Sequence, residues 1–475
     1  MSSTGSMGGP SGGSSGGYGG GMPPPAGPTV AFSAPASAKS INFGQSVSLT
    51  WSSSGATSCM GSASSEIGSA FNGNQPTSGT ATVAPTGTGS VTFTLKCSNG
   101  SASGSAQSAA VTVNPSVLST LSTTKIATIG STIDPIEQGG NPYGLTIATK
   151  TAGLITAGDL LVCNFNDGAT NTEGLGTTIV GLHPATGSSP YRIAKSASLQ
   201  GCNALAALAD GSISAAAFSA DANPLVAPDG TLTNPFSAGG GFGHPWGQVY
   251  VAATAQHGAA LYLSNLAGSI IRISLNADAQ TSSTEIVKGF CGSGTPGSIF
   301  APAGLTYDAS IDTLYVVDTS SYSVVALADV SSIAADGVVV TGQCSSVQTP
   351  PTPKPTFGGP SAASARVIAN GGGFIAPISA ALLSDGNLVV GNGDINIAGG
   401  QMPNLLFEIS PVLPGGFVGQ PVQLDTSGTP GALFGIAATV DSQGRNQLIY
   451  FNDDNTNTVM VLTKQDLDSQ AAAQR

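Results

Sequence analysis

Short apolar runs recur along most of the chain, and each is cut off by Gly, Asn, Asp, Ser or Pro. Runs such as Val47-Ser48-Leu49-Thr50-Trp51 and Val91-Thr92-Phe93-Thr94-Leu95 alternate apolar and polar positions, the period of a half-buried strand. Long amphipathic heptads are absent, and no window approaches the roughly 18 apolar residues of a membrane helix. The pattern predicts an all-β chain.

Residues 28–115 read as a first domain, with further strand-like runs at Thr80–Val83 and Ala110–Val113. Cys59 and Cys97 enclose about 38 residues, and a bond between them would stabilise by roughly 3–4 kcal/mol through the unfolded state. The pieces Ser48-Leu49-Thr50-Trp51-Ser52-Ser53, Ala56-Thr57-Ser58-Cys59, Thr92-Phe93-Thr94-Leu95-Lys96-Cys97 and Ala110-Val111-Thr112-Val113-Asn114-Pro115 resemble the Ig-like domains of bacterial surface proteins. That resemblance implies a β-sandwich with Trp51 in its core.

Residues 116–465 repeat a unit: a turn-like Pro-x-Gly with a short apolar strand, a second apolar strand ending in Asn or Asp, then a third strand. Pro302-Ala303-Gly304-Leu305, Leu314-Tyr315-Val316-Val317-Asp318 and Ser323-Val324-Val325-Ala326-Leu327 are the clearest copy. Others begin near Pro142-Tyr143-Gly144, Pro245-Trp246-Gly247, Pro377-Ile378-Ser379 and Leu433-Phe434-Gly435. The gap from Gly144 to Gly247, about 103 residues, leaves room for a degraded copy around Leu205–Gly211. Six units of about 58 residues, with four short strands each, predict a six-bladed β-propeller. The repeats resemble NHL repeats, whose blades carry a similar Pro-x-Gly strand and a Leu-Tyr-Val-x-Asp strand. Thr123–Ile129 is expected to supply the outer strand of the last blade. Pro350–Thr356 reads as an exposed insertion, because proline cannot donate to a ladder. Outside these domains lie a Gly/Ser/Pro-rich tether, 1–27, and a polar tail, 466–475.

Composition changes the picture mainly through charge. Only 8% of residues are charged, with 13 Lys+Arg against 25 Asp+Glu and a net charge of -12. Clustered basic residues are missing, which argues against nucleic-acid binding. The chain is 40% hydrophobic, so disorder of the whole is not expected. Six cysteines without a CxxC, and three histidines far from them in sequence, disfavour structural zinc. Sequential disulfides, Cys59–Cys97, Cys163–Cys202 and Cys291–Cys344, are the simplest of fifteen pairings and imply an oxidising compartment. Cys291 and Cys344 follow similar runs and are expected at equivalent edges of neighbouring blades. No basic or apolar leader opens the chain. The expectation is that Met1 stands where a processed signal ended, with a lipoprotein-type anchor as one form of that N-terminus.

Candidate chemistry is sparse. The column Asn164, Asn265, Asp318, Asn392 and Asn452 follows the second strands and fits turn chemistry. Asn164, Asn166 and Asp167, with Glu173 beyond, and Asp453 and Asp454 are weak calcium-loop candidates whose spacing departs from an EF-hand. His183 is placed at an outer-strand turn and His257 at a hairpin tip. His244 precedes Pro245 and Trp246 as Asn141 precedes Pro142 and Tyr143, so Asn141, Tyr143, His244 and Trp246 are expected around one mouth of the channel, lining a shallow ligand pocket. No catalytic residue is assigned. Serine-hydrolase and phosphate-binding motifs are absent, and Glu66, Glu137, Glu173, Glu285 and Glu408 do not fit the calcium site of lactonase-like propellers. The resulting expectation is a non-catalytic extracellular or cell-surface protein. Its propeller binds a protein, a glycan or another copy of itself, and its Ig-like domain is a spacer. The alternatives are a lactonase-like hydrolase with a channel metal and a filament or surface-layer subunit. No cofactor is expected, calcium being the one ion these loops would suit.

Overall fold

A computed structural model describes residues 26–121, 126–238, 241–276, 279–296, 298–342, 354–393, 404–425, 433–444 and 447–464. The N-terminal part is a β-sandwich. Val47–Ser54 lies between Thr29–Ala34 and Gly79–Val83, Val111–Asn114 lies between Lys39–Asn42 and Gly89–Val91, and Ser58–Ala63 and Phe93–Ser98 form the centre of a four-stranded sheet. Alternate residues of these strands, among them Val47, Leu49, Trp51, Phe93, Leu95, Val111 and Val113, point into one core. Trp51 is buried edge-on against Phe71, and its indole N–H donates to the Pro76 carbonyl at 2.9 Å. Cys59 and Cys97 face each other on paired strands and are disulfide-bonded.

The rest is a six-bladed propeller. The inner strands are Gly140–Ile147 in blade 1, Cys202–Ala207 in blade 2, Pro245–Val251 in blade 3, Pro302–Asp308 in blade 4, Pro377–Leu382 in blade 5 and Ile436–Val440 in blade 6. Each begins an antiparallel sheet, and successive inner strands pack side by side until blade 6 meets blade 1. The outermost strand of blade 6 is Ile126–Ser131, antiparallel to Thr458–Thr463, so the two ends of the array close the ring together. Blade 2 is the reduced copy. Its two outer strands, Leu225–Val226 and Leu232–Thr233, are very short.

Blade 3 departs from the sequence expectation. The run before Cys344 was expected on the edge of a neighbouring blade. Instead Val338–Thr341 pairs in parallel with Ala279–Lys288, the run before Cys291, and both belong to one extended six-stranded sheet. Thr356–Gly358 then pairs with Val338–Thr341, so the Pro-rich insertion ends in a sheet edge. Cys291 is disulfide-bonded. The pairing expected for it involves Cys344, which lies outside the described residues, as do most of the tether and the tail.

The Pro-x-Gly motif has a steric cause. In blades 2–5 the register shifts just after the first inner-strand residue, and in blade 1 just after Pro142, so the next side chain bulges toward the ring axis. The glycine that follows lies against the next blade. A Cβ on Gly247 would sit 2.0 Å from the Ala303 carbonyl oxygen, on Gly304 2.7 Å from that of Ile378, and on Gly435 2.5 Å from that of Tyr143. Blades 2 and 5 carry Ala204 and Ser379 at the same tier. Hydrogen bonds tie the blades at this level. Asn452 of blade 6 donates from Nδ2 to the carbonyls of Tyr143 and Gly144 in blade 1, at 3.2 and 3.3 Å. Ser264 Oγ donates to Ala303 O at 2.6 Å, and Thr319 Oγ1 to Pro377 O at 2.8 Å. The Cys163–Cys202 disulfide joins blades 1 and 2.

The sandwich is docked on blade 5. Asn42 donates to the Asp385 carboxylate at 3.1 Å, Gln45 donates to the Asp385 carbonyl, and Ser410 donates to the Gly44 carbonyl. The linker forms a single helical turn, Val117–Thr120, whose Leu118 N–H donates to the buried carboxylate of Glu408 at 2.7 Å. Asn387 donates to the other Glu408 oxygen at 2.7 Å. Burial raises the Glu408 pKa, opposed by the hydrogen bonds from Asn387, Leu118 and Ser116 and reinforced by Asp385.

Two outcomes follow from this architecture. Gly247→Ala is expected to destabilise the propeller by about 4 kcal/mol or more, since backbone must move to admit the methyl, while Ser379→Ala at the same tier costs under about 1 kcal/mol; urea unfolding of both variants checks this. Glu408→Leu leaves the Leu118 amide without its acceptor, so small-angle scattering should report a larger radius of gyration with both domains still folded. Because the folded pKa of Glu408 is raised, the stability it contributes is full below the unfolded value and is lost as pH rises through the folded value. The variant should lack that part of the decline in urea midpoint toward neutral pH.

Candidate functional site

The bulged tier decides what the channel is. Its bulged positions are Tyr143, Asn203, Trp246, Ala303 and Ile378 in blades 1–5, and Phe434, just ahead of the unshifted inner strand of blade 6, completes the tier. Tyr143 is stacked between Phe165 and Phe434, with ring centroids 4.1 and 3.8 Å apart and planes within 7°. Trp246 meets Tyr143, Phe165 and Phe218 edge-on. Flat stacking inside and edge contacts outside suit ring quadrupoles and exclude water. Ile299 and Ala301 complete the cluster, carried in by the hairpin Ser293–Thr295 and Ser298–Phe300 and the residue after it. The channel is thus plugged at the end where the inner strands begin.

Below the plug is a cavity of about 80 Å3, lined from all six blades by Tyr143, Asn203, Trp246 and Phe434, then Gln248, Leu305 and Ser379. It continues into a wider mouth of about 300 Å3 at the other end of the inner strands. The two share Leu145, Leu205, Gln248, Leu305, Ala380 and Ile436, so the space is a blind funnel. The outer rim carries Thr146, Thr149, Tyr250, Thr306, Ala381 and Ala438. Among the described residues, no charged side chain lines either part.

The wide mouth opens on the face that also carries the sandwich, because the Ser384–Asn387 turn that receives it joins the first two strands of blade 5 at that end. Two polar clusters lie at the same end of their blades. In blade 1 the buried Asp159 carboxylate takes the His183 Nδ1–H and the Tyr191 hydroxyl, both at 2.6 Å. Burial and that bond push the Tyr191 hydroxyl above its ordinary pKa. Between blades 3 and 4, Tyr307 donates to Asp312 at 3.0 Å and lies 3.2 Å from His257 Nε2. Its pKa is likewise raised by burial and by Asp312.

The residues singled out from sequence fall into place as follows. Tyr143 and Trp246 meet in the plug, where they roof the cavity from the narrow end. His244 is exposed beside them, packed on Phe218. Asn141 donates to Asn166 Oδ1 at 3.0 Å and lines neither part of the channel. Asn141 and His244 share a left-handed backbone, φ 58° and 59°, immediately before the proline of the inner strand, which explains a residue tolerant of that region at both positions. Asn164, Asn265, Asp318, Asn392 and Asn452 are all buried opposite the start of the inner strands, where their side chains bond backbone and neighbouring hydroxyls. Asp167 is held by Thr170 and Thr172 in a local turn, and hydrogen bonds led by the Thr172 amide lower its pKa. Asp453 accepts from Thr456 N, and burial together with Asp425 raises its pKa; Asp454 accepts from Asn457 N through its carbonyl. Among the described residues no group of three or more His, Cys, Asp or Glu is placed to hold a metal ion.

Asn203, Gln248 and the Ser293–Phe300 hairpin had no place in the sequence reading. Asn203 follows Cys202 as Tyr143 follows Pro142, and aligning Cys202 with the prolines would have found it. No protein-family model and no curated protein sequence matches the chain. Solved structures with similar backbones include virginiamycin B lyase from Staphylococcus aureus, at 12% identity and TM-score 0.40 over 71% of this chain and 99% of that one. The WD40 repeats of RRP9 give 9% and 0.41 over 72% and 98%. A putative 6-phosphogluconolactonase from Bacteroides uniformis gives 13% and 0.32 over 63% and 80%. Likeness at this level carries no residue-by-residue correspondence, and the propeller assignment rests on the strand pairing itself.

Proposed function

We propose that this is a non-catalytic extracellular or cell-surface protein, an Ig-like spacer followed by an NHL-like propeller that binds through its wide-mouth face. The observation that carries the reading is the docking of the sandwich beside that mouth. Asn42, Gln45 and Gly44 on one side, and Asp385, Ser410 and Glu408 on the other, hold the two domains in one orientation. A fixed orientation lowers the ordering entropy lost when a partner engages both. The opposite face is sealed by the aromatic plug. Two described disulfides fit an oxidising compartment, and a surface poor in lysine and arginine offers few sites to trypsin-like proteases. The partner is a cell-surface protein, a glycan or a second copy of the chain.

Labelled protein titrated onto intact bacterial cells tests the reading. Saturable binding that survives EDTA is expected, weakened at least tenfold by Ala438→Arg on the mouth rim and unchanged by His244→Ala on the sealed face. Turnover of a lactone panel that EDTA abolishes would establish the metal-dependent hydrolase instead, and binding lost in His244→Ala but kept in Ala438→Arg would move the interaction to the other face.

A further inference from the structure

Five of the six positions of this tier carry aromatic or aliphatic side chains, and the sixth is Asn203. Asn203 is 8% exposed and lines the closed end of the funnel. Both its Nδ2 and its Oδ1 are buried without a hydrogen-bond partner. It is the one side chain lining that cavity, among the described residues, of which this is true. Gln248, the other amide there, is fully engaged: Nε2 donates to Ala204 O and Ser214 O at 2.9 and 2.8 Å, and Oε1 accepts from Ser214 Oγ at 3.0 Å. Buried amides are almost always paired, so an amide with both ends open at the bottom of a pocket calls for an occupant.

We infer that the funnel is a binding site for a slim, uncharged molecule that ends in a primary amide. Three features define the class. The buried, unpaired amide of Asn203 is a planar donor and acceptor, and another amide in the same plane satisfies both atoms at once. The approach is walled by Leu145, Leu205, Leu305 and Ile436, which suit a short alkyl chain. With no charged residue along the described path, a carboxylate or an ammonium would be desolvated without a counter-charge. A cavity of about 80 Å3 leading to a mouth of about 300 Å3 holds a head group and a few carbons. Ordered water is the competing occupant, since the volume exceeds that of a single water site. The inference stands apart from the platform reading, because a small molecule in the channel and a macromolecule on the face are measured separately.

Ligand-observed NMR and calorimetry on the full chain test it with butyramide, butyrate and butylammonium. Butyramide should bind with millimolar affinity, at least tenfold more tightly than either ion. Asn203→Leu should weaken butyramide at least tenfold, and Ala437→Phe, which narrows the mouth and leaves Asn203 untouched, should slow or abolish binding; urea midpoints establish that each variant is folded. Equal binding of the three probes, or wild-type affinity in either folded variant, overturns the inference. So does a crystal structure at saturating butyramide in which only water lies against Asn203.

Discussion

The structure depends on how closely six inner strands can converge. Each strand must approach the next nearly backbone to backbone one residue after the bulge, and at that level a methyl group is too much for blades 3, 4 and 6. The Cβ positions of Gly247, Gly304 and Gly435 coincide with carbonyls of the following blade. That contact sets the ring radius. It also explains why the interblade hydrogen bonds from Ser264, Thr319 and Asn452 end on carbonyls at or next to that tier, those of Ala303, Pro377 and Tyr143. Once these strands are close, the carbonyls left over on their inner edges need donors, and the buried polar side chains supply them.

The repeat was legible in the sequence wherever this constraint acts on it. Pro-x-Gly marks the bulge and the close approach, and the Asn/Asp column marks the turn facing it, so most of the blades and the strand that closes the ring could be read directly. Blade 2 was harder. Cys202 replaces the proline, Ala204 the glycine, and the outer strands shrink to two residues each, leaving little apolar pattern. The relation between the runs before Cys291 and Cys344 was misread because their similarity is that of two adjacent strands in one extended sheet, and pairing partners are not marked in a sequence. The junction was invisible for another reason. Glu408 and Leu118 are 290 residues apart, and a lone glutamate in an apolar strand carries no sign of what it faces. The site was only half legible. Sequence drew attention to Tyr143 and Trp246 as channel residues, but whether such aromatics line an open pocket or fill it depends on Phe165, Phe218, Phe434 and a hairpin from elsewhere in the chain.

Closure of the ring uses several devices at once. The N-terminal strand Ile126–Ser131 completes blade 6, Asn452 reaches across to blade 1, and the disulfide between Cys163 and Cys202 ties blade 1 to blade 2. They concentrate on the two sides of blade 1, where the seam of the array meets its weakest copy. An ion-pair group reinforces the same region: Arg192 bonds the buried Asp134, and Lys195 lies 2.8 Å from Glu137. In a chain with so few charges, several are spent fastening the segment that leads from the closing strand into blade 1. The scarce charge therefore reads as structural there.

The asymmetry of the two faces follows from the same tier. The tier at the start of the inner strands turns Tyr143, Trp246, Ile378 and Phe434 toward the axis at one end only. Farther along, the strands carry Ala206, Ala380, Ala381, Ala437, Thr146 and Thr306, and the space between them widens. A tapered tube with a plugged narrow end is thus the default outcome of this repeat. The sandwich is joined to the face at the wide end, since the linker and Asp385 meet there. A residue that breaks the rule at the narrow end is consequently conspicuous. Filling the bulge of blade 2 with leucine would complete the plug, whereas asparagine leaves two unpaired polar atoms lining the cavity. In a cavity whose other amide, Gln248, is tied to Ala204 and Ser214, that exception marks the bottom of the funnel as the place where the fold departs from its own packing logic.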